Sequence, residues 1–337
     1  NRTSGHGSSR PQPDVYCIRT LFERRKPMLG YIVKRILVTI PILFGVVFMV
    51  FSIMQFTPGD PATVMLGINA EPWQIEALNK ELGLDQPFFT RFFNYVKGIV
   101  TEFDFGDSYR TRQPVVDEVL TRFPTTLKLT IISIVLSSAI GISLGILSAI
   151  RQYSKLDITC TVVALVCCSV PGFWLSLMMI LLFAVKLAWL PTSGAGGWEH
   201  MLMPITVLTI TGVAGTMRIT RSAMLETIRQ DYIRTARAKG ASEKIVIWRH
   251  ALKNALMPVI TVLGMDFASM LGGSIITESI FSLPGLGQYV ITGIREKNDP
   301  VVLSCTLFLA TLFCLIVLAL DLIYAVIDPR IKARFIK

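Results

Sequence analysis

Six stretches of this sequence are so long and so apolar that a lipid bilayer is the only surrounding that can cover them. They run from about 36 to 56, 125 to 150, 157 to 190, 201 to 217, 256 to 276 and 301 to 327. Inside hydrocarbon no water satisfies backbone N–H and C=O groups, so such runs become helices, with about 20 residues needed per crossing. The expected fold is all-α, a polytopic membrane protein with six transmembrane helices. A chain of 337 residues that is 52% hydrophobic is not an ordinary soluble domain.

The formal net charge of +10 raises nucleic acid as a partner. The basic residues, however, stand at the ends of apolar runs and not on an aromatic-interleaved face, which is the pattern of the positive-inside rule. Membrane lipid is the expected surrounding, and no nucleic acid is expected. Of the six cysteines, Cys160, Cys167, Cys168, Cys305 and Cys314 lie in apolar runs and Cys17 in a polar tail, without a CxxC pair or a zinc framework. No phosphate loop, HExxH or GxSxG occurs. The chain is therefore expected to be no enzyme, to carry no metal or cofactor, and to hydrolyse no ATP itself.

Residues 1–27 are rich in Ser, Arg, Pro and Gly and precede Met28, which reads as a natural start. They are expected to be a disordered extension, a tag or an over-called start codon, with residues 28–337 forming the membrane domain. The first apolar run is longer than a signal-peptide core and ends Thr57-Pro-Gly-Asp-Pro61 instead of at a cleavage site, which favours an uncleaved helix. Residues 57–123 then turn acidic and read as an external loop, with a helix from Pro72 to Leu82 stopped by Gly83 and another from Phe88 to Val100.

Gly141 and Gly145 give the second span a GxxxG face for close helix packing. The run from Asp157 to Leu190 exceeds one crossing and contains Ser169-Val-Pro171-Gly172, so it is expected to cross once as a broken helix.

Between the fourth and fifth spans lies the polar stretch 229–258, whose basic residues are Arg229, Arg234, Arg237, Lys239, Lys244, Arg249 and Lys253 against only Asp231 and Glu243. Such a loop is expected in the cytoplasm, which places both termini there as well. Tyr232 to Lys239 reads as a short helix and Gly240 as its left-handed stop. Ser242-Glu243 then opens a second helix with Ile245, Trp248 and Leu252 on one face. A basic cytoplasmic loop that binds nothing is the plainer reading.

This loop resembles the coupling loop of the membrane subunits of binding-protein-dependent ABC importers, with Arg234-Thr-Ala-Arg-Ala-Lys-Gly240 over its Ala-rich portion and Pro258 as the closing proline. Arg234 stands where the general pattern has an acid and Pro258 comes late, and both departures resemble the dipeptide/oligopeptide/nickel branch. Pro58-Gly-Asp-Pro61, Leu82-Gly-Leu-Asp-Gln-Pro87, Phe105-Gly-Asp-Ser108, Glu278 to Gly287 and Asp328-Pro-Arg-Ile-Lys332 resemble that branch too.

The resemblance implies a type I importer permease fold in a bacterial inner membrane. It also implies a second homologous permease, two ATP-binding subunits that supply the energy, and an extracytoplasmic solute-binding protein facing residues 57–123. Arg234, Ala236, Arg237, Ala238, Gly240, Ala241 and Ile245 would contact an ATP-binding subunit. Candidates for the solute pathway are Asp266, the deepest ionisable residue, together with Pro171, Gly172 and Glu278. A carboxylate satisfied by backbone or by a companion subunit is the competing reading of Asp266. An ion-coupled secondary transporter is the alternative function, but it calls for paired intramembrane carboxylates and a repeat that the sequence lacks.

Overall fold

The structure is a computed structural model that describes residues 13–67 and 69–327, all helix, turn and loop but for one isolated bridge between Asp107 and Pro114. The expectations for residues 1–12 and 328–332 lie outside the described residues. In chain order the helices are α1 (Pro13–Phe56), α2 (Pro61–Leu66), α3 (Pro72–Glu81), α4 (Phe88–Glu102), α5 (Val115–Ile150) and α6 (Lys155–Ser169). They continue as α7 (Gly172–Lys186), α8 (Glu199–Ile228), α9 (Asp231–Ala238), α10 (Glu243–Ile280), α11 (Leu286–Arg295) and α12 (Asp299–Ile327).

Among the described residues five helices are long and apolar enough to cross a membrane, and the bent pair α6 and α7, taken as one span, raises the number to six. That pair breaks where Pro171 removes a backbone donor and bars the helical conformation of Val170, and its arms meet at 94°. Helix α1 differs from expectation by reaching back to Pro13, so residues 13–27 are helical. Proline suits the first helical position, and Val15, Ile18 and Phe22 recur at helical spacing.

Residues 45–317 form one compact unit, and the described residues up to 44 together with those from 318 form another. In the smaller unit Arg35 pairs with Asp321 at 3.3 Å. The larger unit is built on α5 and α8, which pack along most of their length.

Their seam is made of small residues: Thr126, Thr130, Ser133, Ser137, Gly141, Gly145 and Ser148 of α5 are all buried, as are Thr209, Thr216 and Thr220 of α8. A Cβ on Gly141 would come within 2.7 Å of Thr216 Cβ, and one on Gly145 within 2.6 Å of Thr220 Cβ. Among helices already in apolar surroundings, this closeness is what makes association favourable. A Cβ on Gly212 of α8 would come within 3.0 Å of both Ser137 Cβ and the Met270 methyl of α10, which brings the third helix onto the pair.

Three buried clusters follow along α5. At one end Val115 and Val119 meet Leu286, Val290 and Cys305, in the middle Leu129 meets Met203, Val207 and Phe281, and at the far end Ile146 and Ala149 meet Met224, Ile233, Val246 and Ala255.

Gly145→Val is expected to force α5 and α8 apart and to lower stability by about 1–3 kcal/mol, the usual effect of overpacking. Gly172→Ala, at a glycine with open space around it, is expected to be neutral. Thermal unfolding of the two variants in one detergent checks both.

Candidate functional site

The polar loop sits on the far end of α5. Helix α9 carries Ile233, which is fully buried against Met224, Val246 and Ala255, with Ala236 and Ala241 packed at the edge of the same cluster. Between α9 and α10 the chain turns at Gly240, whose φ of +81° lies in the left-handed region that glycine occupies without cost. Nothing lies within 4 Å of where its Cβ would be. Glycine is therefore required by backbone conformation and not by space.

Arg237 Nε and a second guanidinium nitrogen donate to the two carboxylate oxygens of Glu243 at 2.7 and 3.2 Å, a fork that bridges the Gly240 turn. The Glu243 carboxylate raises the Arg237 pKa still further above its ordinary value. This pair holds α9 to the start of α10, so Arg237 is engaged within the chain, whereas the sequence pointed it at a partner. Arg234 lies 3.8 Å from Asp231 and is largely exposed, as are Ala238 and Ile245.

One expectation about the second helix is corrected: it does not end before the fifth span, because α10 runs unbroken from Glu243 to Ile280 and Pro258 lies inside it instead of closing the loop. Ile245 and Trp248 are 47% and 59% exposed, whereas Val246, Ala251, Ala255 and Val259 are buried. This buried face is set by a π-helical segment over Val246–Ala251. One extra residue in the turn gives a step of five from 246 to 251 and then steps of four, so the buried face keeps its direction where a plain α-helix would have rotated it. On the exposed side Tyr232 accepts a hydrogen bond from Asn254 Nδ2 at 2.9 Å, tying α9 to α10 a second time.

Beside this end lies an ion pair that sequence reading missed. Asp157 is 3% exposed and accepts a forked bond from Arg221 of α8, at 2.7 and 2.8 Å. Its carboxylate also takes the Ser148 hydroxyl and the backbone N–H of Tyr153, while Ser154 caps α6 by accepting from the Asp157 N–H. The pair joins α5, α6 and α8 next to the buried cluster that carries α9. Asp157 stood at the boundary of an apolar run, where a lone acid reads as a helix cap.

At the opposite end of α5, Glu278 is fully buried and accepts from Ser274 at 3.0 Å and from the Gly287 N–H at 2.7 Å. A carboxylate held this way inside the chain fastens α11 to α10. Thr126 accepts from the Leu286 N–H at 2.9 Å and completes the fastening.

Residues 57–123 are tied to the same end through the segment after α11. Lys297 donates to the Thr57 carbonyl at 2.6 Å, Asn298 donates to Ser108 at 2.9 Å, and Arg91 reaches Asp299 at 3.4 Å. Burial pushes the Tyr95 phenol up to about 12 and Tyr109 higher still, so both stay neutral within this knot.

Asp266 lies in α10 away from both ends, half-buried, with no hydrogen-bond or ion-pair partner among the described residues. Met265, Ser269, Gly272, Gly273 and Ile276 beside it are exposed, and both glycines face open space. Pro171 and Gly172 lie exposed and half-buried at the bend of α6 and α7. Among the described residues no cluster of His, Cys, Asp and Glu is arranged to hold a metal ion, and His200 is engaged by the Ser193 carbonyl at 3.0 Å.

If the Asp157 pair is what braces this end, then Arg221→Met, which strands a buried carboxylate, is expected to cost about 3–5 kcal/mol. The double variant with Asp157→Leu is expected to recover much of it, and equilibrium unfolding of the single and double variants reads the difference.

Comparison with known proteins agrees with this architecture. The family described as binding-protein-dependent transport system inner membrane component matches residues 141–333, and the N-terminal region of such membrane components matches residues 28–130. The chain is 40% identical over 333 residues to the dipeptide transport system permease protein DppB of Alkalihalophilus pseudofirmus, covering 90% of this chain and 100% of the relative. It is also 40% identical over 307 residues to the glutathione transport system permease protein GsiC of Escherichia coli K12, covering 91% and 100%.

Among solved structures, the MetNI methionine ABC transporter in an inward-facing conformation is similar in fold, with TM-score 0.56 and 22% identity over 64% of this chain and 99% of that one. Long apolar helices, a seam of small residues and matches along nearly all of the chain lead to one assignment. This chain belongs to the inner-membrane components of binding-protein-dependent transport systems, as an ABC importer permease of the dipeptide and oligopeptide branch.

Proposed function

We propose that this permease carries peptides or peptide-like solutes of the size of dipeptides and glutathione, and that the end bearing α9 is the surface driven by an ATP-binding subunit. The solute class rests on the two relatives named for dipeptide and glutathione transport. The observation that carries the coupling surface is the construction of the Gly240 turn. Ile233 and the Arg237–Glu243 fork make α9, the turn and α10 one rigid piece continuous with a membrane-crossing helix. A push on this piece moves α10 directly, which is what an importer needs in order to turn nucleotide-driven closure into a change of access.

The contact surface is made of Arg234, Ala238, Gly240 and Ile245, which are exposed, together with Tyr232 and Trp248 beside them. Ala236, Arg237 and Ala241 shape it from within. In this reading residues 229–258 and both termini are cytoplasmic, and residues 57–123 face an external solute-binding protein. A second permease covers the exposed stripe of α10 around Gly272 and Gly273, where the absence of side chains admits another helix closely. Asp266, beside that stripe and without a partner among the described residues, faces the shared pathway and meets the cationic group of the solute. The bend at Pro171 and Gly172 shapes the gate.

Gly240→Asn, which tolerates a left-handed φ, is expected to keep uptake, whereas Gly240→Val is expected to lose solute-stimulated ATP hydrolysis and uptake together. Proteoliposomes holding the whole transporter measure both, and full uptake by the valine variant would sink the assignment. For Asp266→Asn, uptake of cationic solutes is expected to fall relative to neutral ones. An unchanged preference in competition assays removes Asp266 from the pathway.

A further inference from the structure

Helix α4 carries two apolar stripes where its anchoring needs one. The first, Phe88, Phe92, Tyr95 and Ile99, faces the chain: Phe92 is 1% exposed, and Tyr95 meets Ser304 of α12 at 3.4 Å. The second, Phe89, Phe93, Val96 and Val100, follows the spacing i, i+4, i+7, i+11 beside it, and Phe89, Phe93 and Val100 are between 58% and 71% exposed. The side bearing Thr90, Asn94, Lys97 and Thr101 is exposed and polar. A helix with one anchored, one bare apolar and one wet side suits the boundary between hydrocarbon and water.

The depth of α4 follows from what it touches. The apolar span Ile32–Phe56 has 25 residues, about 37 Å at the helical rise, against a hydrocarbon core about 30 Å thick. Phe48 lies about 12 Å before Phe56 along that axis, well inside the hydrocarbon. Phe88 and Phe92 of α4 sit with their rings 6.1 and 5.3 Å from the Phe48 ring. The first turns of α4 therefore reach down to residues of α1 that lie within the membrane, and the bare stripe begins at that depth. It is joined to the exposed apolar surface of α1 at Met49, Ile53 and Phe56 through Phe88, whose ring stacks on Phe56 at 6.2 Å and meets Phe89 of the bare stripe at 5.2 Å.

We propose that the second stripe of α4 lies among the acyl chains of the leaflet at the Phe56 end of the first span, so that α4 floats the residues 57–123 cap on the membrane surface. The occupant is phospholipid and not a protein, because the stripe continues a surface that a membrane span already presents to lipid. This reading is independent of which solute is carried and of the coupling surface at the other end.

The test uses the assembled transporter in vesicles of phosphatidylethanolamine and phosphatidylglycerol. In a chain whose native cysteines are replaced, spin labels are attached to Phe89→Cys, Phe93→Cys, Val100→Cys, Asn94→Cys and Lys97→Cys, and collisions with oxygen and with a water-soluble nickel chelate are measured. Oxygen is expected to dominate at 89, 93 and 100, and the nickel chelate at 94 and 97. Dominance of the chelate at 89 and 93 means water there and overturns the proposal. Low collision with both reagents means that a sister permease or receptor covers the stripe, which overturns it as well. Should the cysteine-free chain not fold, Phe93→Trp in the otherwise unchanged chain keeps the question open to measurement. Brominated acyl chains are expected to quench its added emission, and unquenched emission overturns the proposal.

Discussion

The close seam between α5 and α8 is the contact on which the other packing of the larger unit rests. In a bilayer, burying a leucine against another leucine gains little over leaving it among lipid tails, so helices associate where they can come nearer to each other than lipid can. Seven small residues along α5 provide that approach over most of its length, and Gly141 and Gly145 leave no room even for a methyl group. Helix α10 then lodges against the pair at Gly212 and Ser137. The three buried clusters, and with them the positions of α9 and α11, are set by where α5 and α8 run.

Each end of this seam is closed by a buried carboxylate, and the two are satisfied differently. Asp157 is matched by the fork of Arg221, so it depends on a second charge held in place by α8. Glu278 is matched by backbone N–H groups at the start of α11 and by a hydroxyl, with no cation among its bonds. A charge buried in apolar surroundings is tolerated only when its bonding capacity is met, and removing one partner costs far more than the pair is worth. Both carboxylates thus act as conditions on correct assembly, since α6 and α8 at one end and α10 and α11 at the other must be in register before either is satisfied.

How much of this was legible in the sequence depended on whether the cause was local. Pro171 and Gly172 announce a break because proline acts on its own peptide bond, and Gly240 announces a left-handed turn for a similar reason. Gly141 and Gly145 announce a close face because their spacing alone sets it. Arg221 and Asp157 are 64 positions apart in the chain, and neither spacing nor composition pairs them. The knot of Lys297, Asn298 and Asp299 with residues 57–109 reads in sequence only as a polar loop. The buried face of α10, Val246, Ala251, Ala255 and Val259, is hidden from periodicity because a π turn adds one residue to the count. Residues 13–27 read as disordered from their charges and prolines, although apolar residues at helical spacing run through them.

The π turn at Val246–Ala251 also gives α10 a property that a uniform helix lacks. A π turn is held by i to i+5 bonds and holds one residue more than the α turn it replaces. It can therefore shift along the helix by exchanging one bond at a time, and every residue it passes is turned by about 100° about the helix axis, the angle of one α-helical residue. The segment between the Gly240 turn and the membrane is in this sense a screw thread with a movable fault. Travel of that fault would turn only the residues it passes and advance each by about 1.5 Å along the axis, while the Arg237–Glu243 fork keeps the start of α10 fixed to α9.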